Sequence, residues 1–176
     1  RYVRHSLLVH AVLLRTGAFI FGGSALWALL PLVAREDLGL GATGYGLILG
    51  CLGMGAVGGG LLLPRIERQL STDALLAGAV VLFALATAGP IYAQQLTVLS
   101  LIMIIGGIAW IAIMSTFNVA AQVTVPGWVR ARALAVYGIV AQGGMAVGSA
   151  FWGLVAERVS LSMTLILAAG TLTASI

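Results

Sequence analysis

The sequence predicts an all-α membrane protein of six transmembrane helices, built as two groups of three helices in opposite orientations. Three observations carry this prediction: an apolar composition, six long apolar stretches, and a glycine pattern that occurs twice. Hydrophobic residues make up 61% of the 176 residues and charged residues only 8%. Because soluble domains have about 25% charged residues, a soluble fold of this length could not cover its surface with polar side chains.

Six apolar stretches are candidates for membrane-spanning helices, since a helix needs roughly 20 apolar residues to cross the hydrocarbon core. The predicted spans cover residues 13–33, 45–63, 74–92, 96–121, 133–156 and 163–176. The last span is shortened by the end of the sequence, and the connections between the spans are short. Because the chain starts without methionine and stops inside an apolar stretch, we expect residues 1–176 to be one piece of a larger protein.

A series of glycines at intervals of five residues occurs in the second span and again in the fifth. The first series comprises Gly50, Gly55 and Gly60 with Arg65, and the second comprises Gly143, Gly148 and Gly153 with Arg158. Three membrane crossings separate the two series, so the second series runs through the bilayer in the opposite direction. Similar segments in opposite orientations indicate an inverted-topology repeat, the arrangement of many secondary transporters.

The glycines of the second span are predicted to lie on two faces of its helix. One face carries Gly46, Gly50, Gly53 and Gly60, and the opposite face carries Gly55, Gly58 and Gly59. Small residues let the backbones of neighbouring helices approach each other. We therefore expect this helix to lie between two neighbours. The glycines serve either tight static packing or a seam along which two parts of a carrier rock.

The arginines predict the orientation of the chain in the membrane. All nine basic residues are arginines, and they lie at the ends of apolar stretches rather than in one patch, so no nucleic-acid partner is expected. One predicted side holds Arg1, Arg4, Arg15, Arg65, Arg68, Arg130 and Arg132, and the other holds Arg35 and Arg158. The positive-inside rule places the more basic side, and with it the N-terminus of the chain, in the cytoplasm.

Four of the charges at helix ends are candidates for a conformational latch. Arg65 and Arg68 follow the second span, while Glu157 and Arg158 follow the fifth. An arginine at a helix end can bond the last carbonyl groups and pair with an acid of a neighbouring helix. The alternative is that these side chains are plain solvated charges.

A few polar residues lie inside the predicted spans and are candidates for the wall of a substrate cavity, because polar groups in a membrane are rare and often functional. These candidates are Ser24, Trp27, Ser115, Asn118, Gln122, Gln142 and Ser149. The alternative for these polar groups is hydrogen bonding between helices.

The sequence has no acidic residue in the middle of a span. Since proton-coupled carriers usually place a carboxylate or histidine relay in the membrane, a titrating group is expected outside this chain. We find no cluster of metal ligands, no carboxylate pair and no spaced serine, histidine and aspartate set. We therefore expect no enzymatic activity, no catalytic residue, no metal and no cofactor.

Four segments resemble a known family. The segment from Gly60 to Arg68 resembles Gly-x-x-x-Asp-Arg-x-Gly-Arg, the hallmark of the major facilitator superfamily, with Pro64 in place of the aspartate. Residues 153–160 resemble its weaker second copy, with Glu157 and Arg158 in place. Residues 30–46 and 121–135 are similar to the bacterial branch that includes the enterobactin exporter, the transmembrane secretion effector type.

The resemblance implies that the chain is the C-terminal half of a twelve-helix carrier, helices seven to twelve, in a bacterial inner membrane. It further implies export of a small molecule, siderophore or drug-like, by alternating access with proton antiport. The implied partners are the substrate, the lipid bilayer and a missing N-terminal half of six helices. The alternative is a half-carrier that does not transport, or that forms homodimers.

Overall fold

The computed structural model describes residues 7–36, 39–93 and 95–175. These residues form six α-helices and no strand, which confirms the predicted all-α class for this part of the chain. The helices are α1 (Leu7–Glu36), α2 (Ala42–Ile66), α3 (Thr72–Ala88), α4 (Leu96–Val123), α5 (Arg130–Arg158) and α6 (Leu161–Thr173). Short 3-10 turns, Gly89–Ile91 and Gly127–Val129, follow α3 and precede α5. Arg1 and Arg4, which entered the orientation prediction, lie outside the described residues.

Five of the helices, α1 to α5, are long and apolar enough to cross a membrane. The described part of α6 has 13 residues. At a rise of about 1.5 Å per residue its length is near 20 Å, whereas the hydrocarbon core is roughly 30 Å thick. The chain is therefore a multi-pass membrane protein with five candidate spans and one shorter apolar helix.

Several helices extend beyond the predicted ends of their spans, and α1, predicted over residues 13–33, runs from Leu7 to Glu36. Pro64 and Arg65 belong to the last turn of α2 rather than to a loop. Proline removes one backbone hydrogen bond of the helix, but the bond from the Glu67 amide to the Leu63 carbonyl, at 2.9 Å, still closes the last turn. In the same way Arg130 and Arg132 lie in the first turn of α5 and not in the connection before it.

The helices pack as two crossed pairs around a shared centre. The most extensive contacts join α2 to α4 and α1 to α5, while α3 packs against α4 and α6, and α6 also packs against α1. Serines begin α3 and α6 in the same manner. The Ser71 hydroxyl accepts a hydrogen bond from the Ala74 amide, and the Ser160 hydroxyl accepts one from the Met163 amide.

Aromatic rings fill the centre where α1, α3 and α4 meet. Phe19 is fully buried, and its ring centroid lies 5.6 Å from that of Phe83, 5.7 Å from that of Trp110 and 6.0 Å from that of Phe117. Gly23 makes room for this cluster, since a methyl group there would lie 3.3 Å from both Phe83 and Trp110. The cluster holds the three helices together by area burial and by favourable tilted ring contacts.

Burial is distributed unevenly between the helices. Within the apolar window of each span, 61% of α1 is buried by the rest of the chain but only 11% of α5. The first helix is thus the most buried of the five candidate spans. Few residues of the fifth helix are fully buried, and the others are half-buried or exposed.

Candidate helix seams and polar surface

The seam between α2 and α4 is built on glycines that bring the two backbones into contact. A methyl group on Gly55 would overlap the Ile104 carbonyl oxygen, and one on Gly107 would overlap the Leu52 carbonyl oxygen. A methyl group on Gly59 would lie 2.9 Å from the Ile108 Cα atom. Because each helix places a glycine against the backbone of the other, neither side of this seam can accept a larger residue without separation of the helices.

The seam between α1 and α5 uses a glycine from one side and side chains from the other. A methyl group on Gly148 would overlap the Ser24 hydroxyl and lie 2.9 Å from the Phe21 carbonyl oxygen. One turn away, a methyl group on Gly144 would lie 3.2 Å from the Ile20 side chain. This seam is therefore also close, but the nearest atom is a side-chain hydroxyl rather than backbone.

A hydrogen bond adds a directional link to the second seam. The indole N–H of Trp152 on α5 donates to the Phe21 carbonyl oxygen on α1 at 2.8 Å. The same indole ring lies 5.8 Å from the Phe21 ring, measured between centroids. Sequence reasoning did not identify this residue. The available signal was that a tryptophan buried in an apolar span needs an acceptor for its N–H group.

Only the central glycine of each five-residue series lies in a close seam. Gly50, Gly143 and Gly153 have no atom within 4 Å of a methyl group built on them, and for Gly60 the nearest is Ile111 Cγ1 at 3.9 Å. Gly55 and Gly148 are the exceptions. Residues five apart lie about 140° apart around a helix, so each series is spread over different faces. Within the described residues only its central glycine is in close contact with another helix.

The described residues cover only one of the two glycine faces predicted for α2, so its position between two neighbours stays a prediction. Gly55 and Gly59 lie against α4, whereas a methyl group built on Gly46, Gly53 or Gly58 would meet no neighbouring described atom within 4 Å. The helical period correctly separated the glycines into faces, with Gly58 as the exception. It could not show whether each face has a neighbour, since that depends on the packing of distant helices.

The two predicted cavity residues of α1 lie inside the bundle, Ser24 in the α1–α5 seam and Trp27 beside the aromatic cluster. Ser24 is completely buried and donates its hydroxyl hydrogen to the Phe21 carbonyl oxygen at 2.7 Å. Trp27 is half-buried, and its ring meets that of Trp110 edge-on at 5.5 Å. Its indole N–H is buried without a hydrogen-bond partner.

The other predicted cavity residues divide between two helices. Ser115, Asn118 and Gln122 are half-buried on α4, and the Gln122 amide donates to the Asn118 side-chain oxygen at 2.6 Å. Gln142 is exposed on α5, and Ser149 is half-buried there. This internal bond satisfies part of the hydrogen-bonding capacity of both α4 amides. Gln142 forms no hydrogen bond between its side chain and the other described residues.

The predicted latch charges all lie at the bundle surface. Arg65, Arg68, Glu157 and Arg158 are exposed, and none of them forms an ion pair with another described residue. Residues 7–36, 39–93 and 95–175 thus supply no acid partner for Arg65, Arg68 or Arg158. The latch therefore stays a prediction, and it requires an acidic partner from outside the described residues.

Apolar helices of membrane-crossing length, joined by short turns and packed through glycine seams, define a polytopic membrane protein. The family comparison agrees with this class. The chain belongs to the transmembrane secretion effector family of major facilitator proteins, whose family model matches residues 1–176. This family is one of transporters and not of enzymes. No curated protein and no solved structure matches the chain.

Proposed function

We propose that this chain is part of a secondary active transporter that exports a small molecule, siderophore or drug-like, by alternating access with proton antiport. The membership of the whole chain in the transmembrane secretion effector family is the observation that carries the proposal. We further propose that the protein lies in a bacterial inner membrane with the N-terminus of the chain in the cytoplasm.

The helix packing supports a 3+3 inverted repeat within this proposal. When α1, α2 and α3 are exchanged with α4, α5 and α6, the α2–α4 seam takes the place of the α5–α1 seam. The contact of α3 with α4 likewise takes the place of the contact of α6 with α1. Gly55 and Gly148 occupy matching places in the two seams. An internal pseudo-symmetry of this kind is how many carriers build two alternating gates.

The substrate surface is proposed to run along α4 and α5, at the contact with a further helical unit. The low burial of α5 leaves room for such a unit, and its exposed Gln142 supplies an amide that can donate and accept hydrogen bonds. Ser149, on the same helix, and Ser115, Asn118 and Gln122 on α4 would add polar groups. Trp27, half-buried on α1, completes the proposed set, whereas Ser24 is enclosed in the α1–α5 seam and would support the surface from behind.

The open glycine faces support a second unit as a packing partner. A methyl group built on Gly46, Gly50 or Gly53 of α2, or on Gly143 or Gly153 of α5, would meet no neighbouring described atom within 4 Å. Since small residues on a membrane helix favour close helix contact, we propose that they receive the N-terminal six-helix half. The alternative, a homodimerising half-carrier, places a second copy of this chain on the same faces.

Transport itself is tested in inside-out vesicles that carry the protein together with the N-terminal half. Ethidium and a catecholate siderophore serve as probes, and a pH-sensitive dye reports the proton gradient. We expect uptake of at least one probe, with proton release that stops when an uncoupler collapses the gradient. Uptake that is absent for both probes, or that ignores the uncoupler, contradicts the proposal or its proton coupling, respectively.

The oligomeric state separates the two candidates. The chain is purified in detergent with and without the N-terminal half, and its mass is measured. A stable dimer of the chain alone favours the homodimerising half-carrier. A complex with the N-terminal half, and aggregation in its absence, favours the two-half transporter.

A further inference from the structure

A buried hydrogen-bond donor on α1 has no acceptor. The indole N–H of Trp27 is enclosed within the bundle, yet no described residue accepts a hydrogen bond from it. Trp27 lies about 7 Å from the middle of the candidate span Val9–Glu36, at 1.5 Å per residue, well inside a hydrocarbon core roughly 30 Å thick. No water replaces a missing acceptor at that depth, and an unpaired polar group there is costly. This N–H group therefore requires an acceptor from outside the described residues.

Two buried hydroxyl groups also lack a partner but can find one locally. They belong to Thr16 and Ser100. A serine or threonine of a helix can bond a carbonyl group three or four residues earlier after a change of side-chain rotamer, as Ser24 does with Phe21. A rigid indole ring holds its N–H away from the backbone of its own helix. Of these three groups, the one on Trp27 thus depends on another molecule or segment.

Trp152 shows the same chemical group with its acceptor in place. Its indole N–H donates to the Phe21 carbonyl oxygen at 2.8 Å, and the side chain is only 2% exposed. Trp27, in contrast, is half-buried, and its ring meets that of Trp110 edge-on, with the centroids 5.5 Å apart. Because no hydrogen bond fixes the Trp27 ring, it can turn toward a ligand at the cost of packing alone.

The surroundings of Trp27 suit a flat aromatic molecule. Trp110, its edge-on neighbour, lies 5.7 Å from the ring of Phe19 and 5.3 Å from that of Phe83, measured between centroids. One helical turn farther along α1, Pro31 lines a cavity of about 430 Å³. Since residues four apart lie on the same face of a helix, this cavity is on the same side of α1 as Trp27. It gives a ligand a path toward the indole edge.

We propose that Trp27 is a specificity-determining residue, which donates its indole N–H to a carbonyl oxygen of a flat aromatic ligand. The aromatic body of the ligand packs against the rings of Trp27 and Trp110, and its carbonyl oxygen satisfies the unpaired N–H group. Trp27 belongs to the proposed substrate surface, so this site rests on the proposed function and adds a substrate class to it.

A single donor in this place distinguishes ligands that are otherwise alike. A ligand with a carbonyl oxygen pairs the N–H group, whereas the same ring system without that oxygen covers the group and leaves it unpaired. Fluorenone and fluorene are such a pair of probes, since they share one tricyclic skeleton and differ in a single carbonyl group. Ethidium has no carbonyl oxygen, so its uptake is expected not to depend on the Trp27 N–H.

Nuclear magnetic resonance of the indole groups tests the site without a transport measurement. The chain is labelled with the heavy nitrogen isotope in its tryptophans and studied in nanodiscs together with the N-terminal half. Hydrogen bonding moves an indole proton signal downfield, so the Trp27 signal should lie upfield of the Trp152 signal before a probe is added. Fluorenone should then move the Trp27 signal downfield. Fluorene, which has the same rings but no acceptor, should not.

Three results of this titration would overturn the proposal. The first is a Trp27 signal as far downfield as that of Trp152 before any probe is added, because the N-terminal half or water then already supplies the acceptor. The second is a Trp27 signal that fluorenone does not move. The third is an equal shift with fluorene, because ring contact alone then explains it.

Substitution of the two tryptophans separates the bond from the packing. Trp27→Phe keeps an aromatic ring and should weaken fluorenone binding about two- to tenfold, the range expected for one neutral hydrogen bond, while fluorene binding stays unchanged. Trp152→Phe removes an indole N–H that already has an acceptor and should leave both affinities unchanged. Equal weakening of both probes by Trp27→Phe, or the same loss of fluorenone binding in Trp152→Phe, would also overturn the proposal.

Failure of this site and failure of the transport function give different results. A shift of the Trp27 signal with fluorenone alone, in a protein that takes up neither vesicle probe, upholds the site and contradicts the transport function. Uptake of a vesicle probe without any shift of the Trp27 signal contradicts the site and leaves the transport function standing.

Discussion

The two closest helix seams of the molecule achieve contact in different ways. In the α2–α4 seam, glycines on both helices press against backbone atoms, as at Gly55 and Gly107. In the α1–α5 seam, Gly148 meets a hydroxyl group, and Trp152 adds a hydrogen bond across the contact. The first seam thus depends on the absence of side chains and the second on one polar link as well. The two therefore differ in how they tolerate substitution.

The largest effect is expected in the α2–α4 seam. Gly107→Leu places a side chain where the Leu52 carbonyl group and the Ala56 amide already lie. Because backbone cannot move aside as a side chain can, we expect a loss of about 3 kcal/mol or more in the free energy of unfolding. Unfolding of the detergent-solubilised protein by SDS measures this change.

The control is Gly53→Leu, on a face of α2 that is open in this chain. Its stability should stay within about 0.5 kcal/mol of the unsubstituted protein. Equal destabilisation by both variants would show that the helix itself, rather than the seam, rejects leucine.

A smaller loss is expected in the α1–α5 seam. Gly148→Val meets the Ser24 hydroxyl first, and that group can rotate away, although the Phe21 carbonyl oxygen remains close. We expect a cost of about 1–3 kcal/mol, again from SDS unfolding. Gly143→Val, in the same series but without a neighbour within 4 Å, is the matched control and should be close to neutral. A larger cost than for Gly107→Leu would reverse the ranking of the two seams.

The hydrogen bond of the second seam is expected to contribute less than its close packing. Trp152→Phe keeps an aromatic ring but removes the donor to the Phe21 carbonyl oxygen. Hydrogen bonds between membrane helices contribute about 0.6 kcal/mol on average, with a maximum near 1.7 kcal/mol, and we expect a loss in this range. Phe151→Leu alters the neighbouring ring without a hydrogen-bond change. If it costs as much as Trp152→Phe, packing rather than the bond explains the loss.

The smallest effect on stability is expected on the polar surface, where function should change instead. Gln142→Ala alters an exposed amide, so the free energy of unfolding should move by less than about 0.5 kcal/mol. We expect a changed ratio of ethidium to siderophore uptake in the vesicle assay. Gln122→Ala, which breaks the bond to Asn118 on α4, is the comparison. Unchanged uptake of both probes by Gln142→Ala would remove this residue from the proposed substrate surface.

Much of the fold was predictable because membrane helices are specified locally. Length and apolarity identify α1 to α5, and the 3.6-residue period correctly grouped Gly55 with Gly59 on one face of α2. The candidate site was less predictable. Ser24, Gln142 and Asn118 are all polar residues within apolar helices, and the sequence does not distinguish a group that bonds its own helix from one that is free.

The sequence by itself determined that the chain lies in a bilayer, where its helices run, and which glycines recur. These properties follow from the composition and period of each segment alone. The tertiary structure decided which glycine of each series bears a contact, that Ser24 is enclosed, and that the Trp27 indole N–H has no acceptor among the described residues. The Trp152–Phe21 bond joins residues 131 positions apart. Such contacts depend on how separate helices cross in the folded bundle, and no local pattern encodes that geometry.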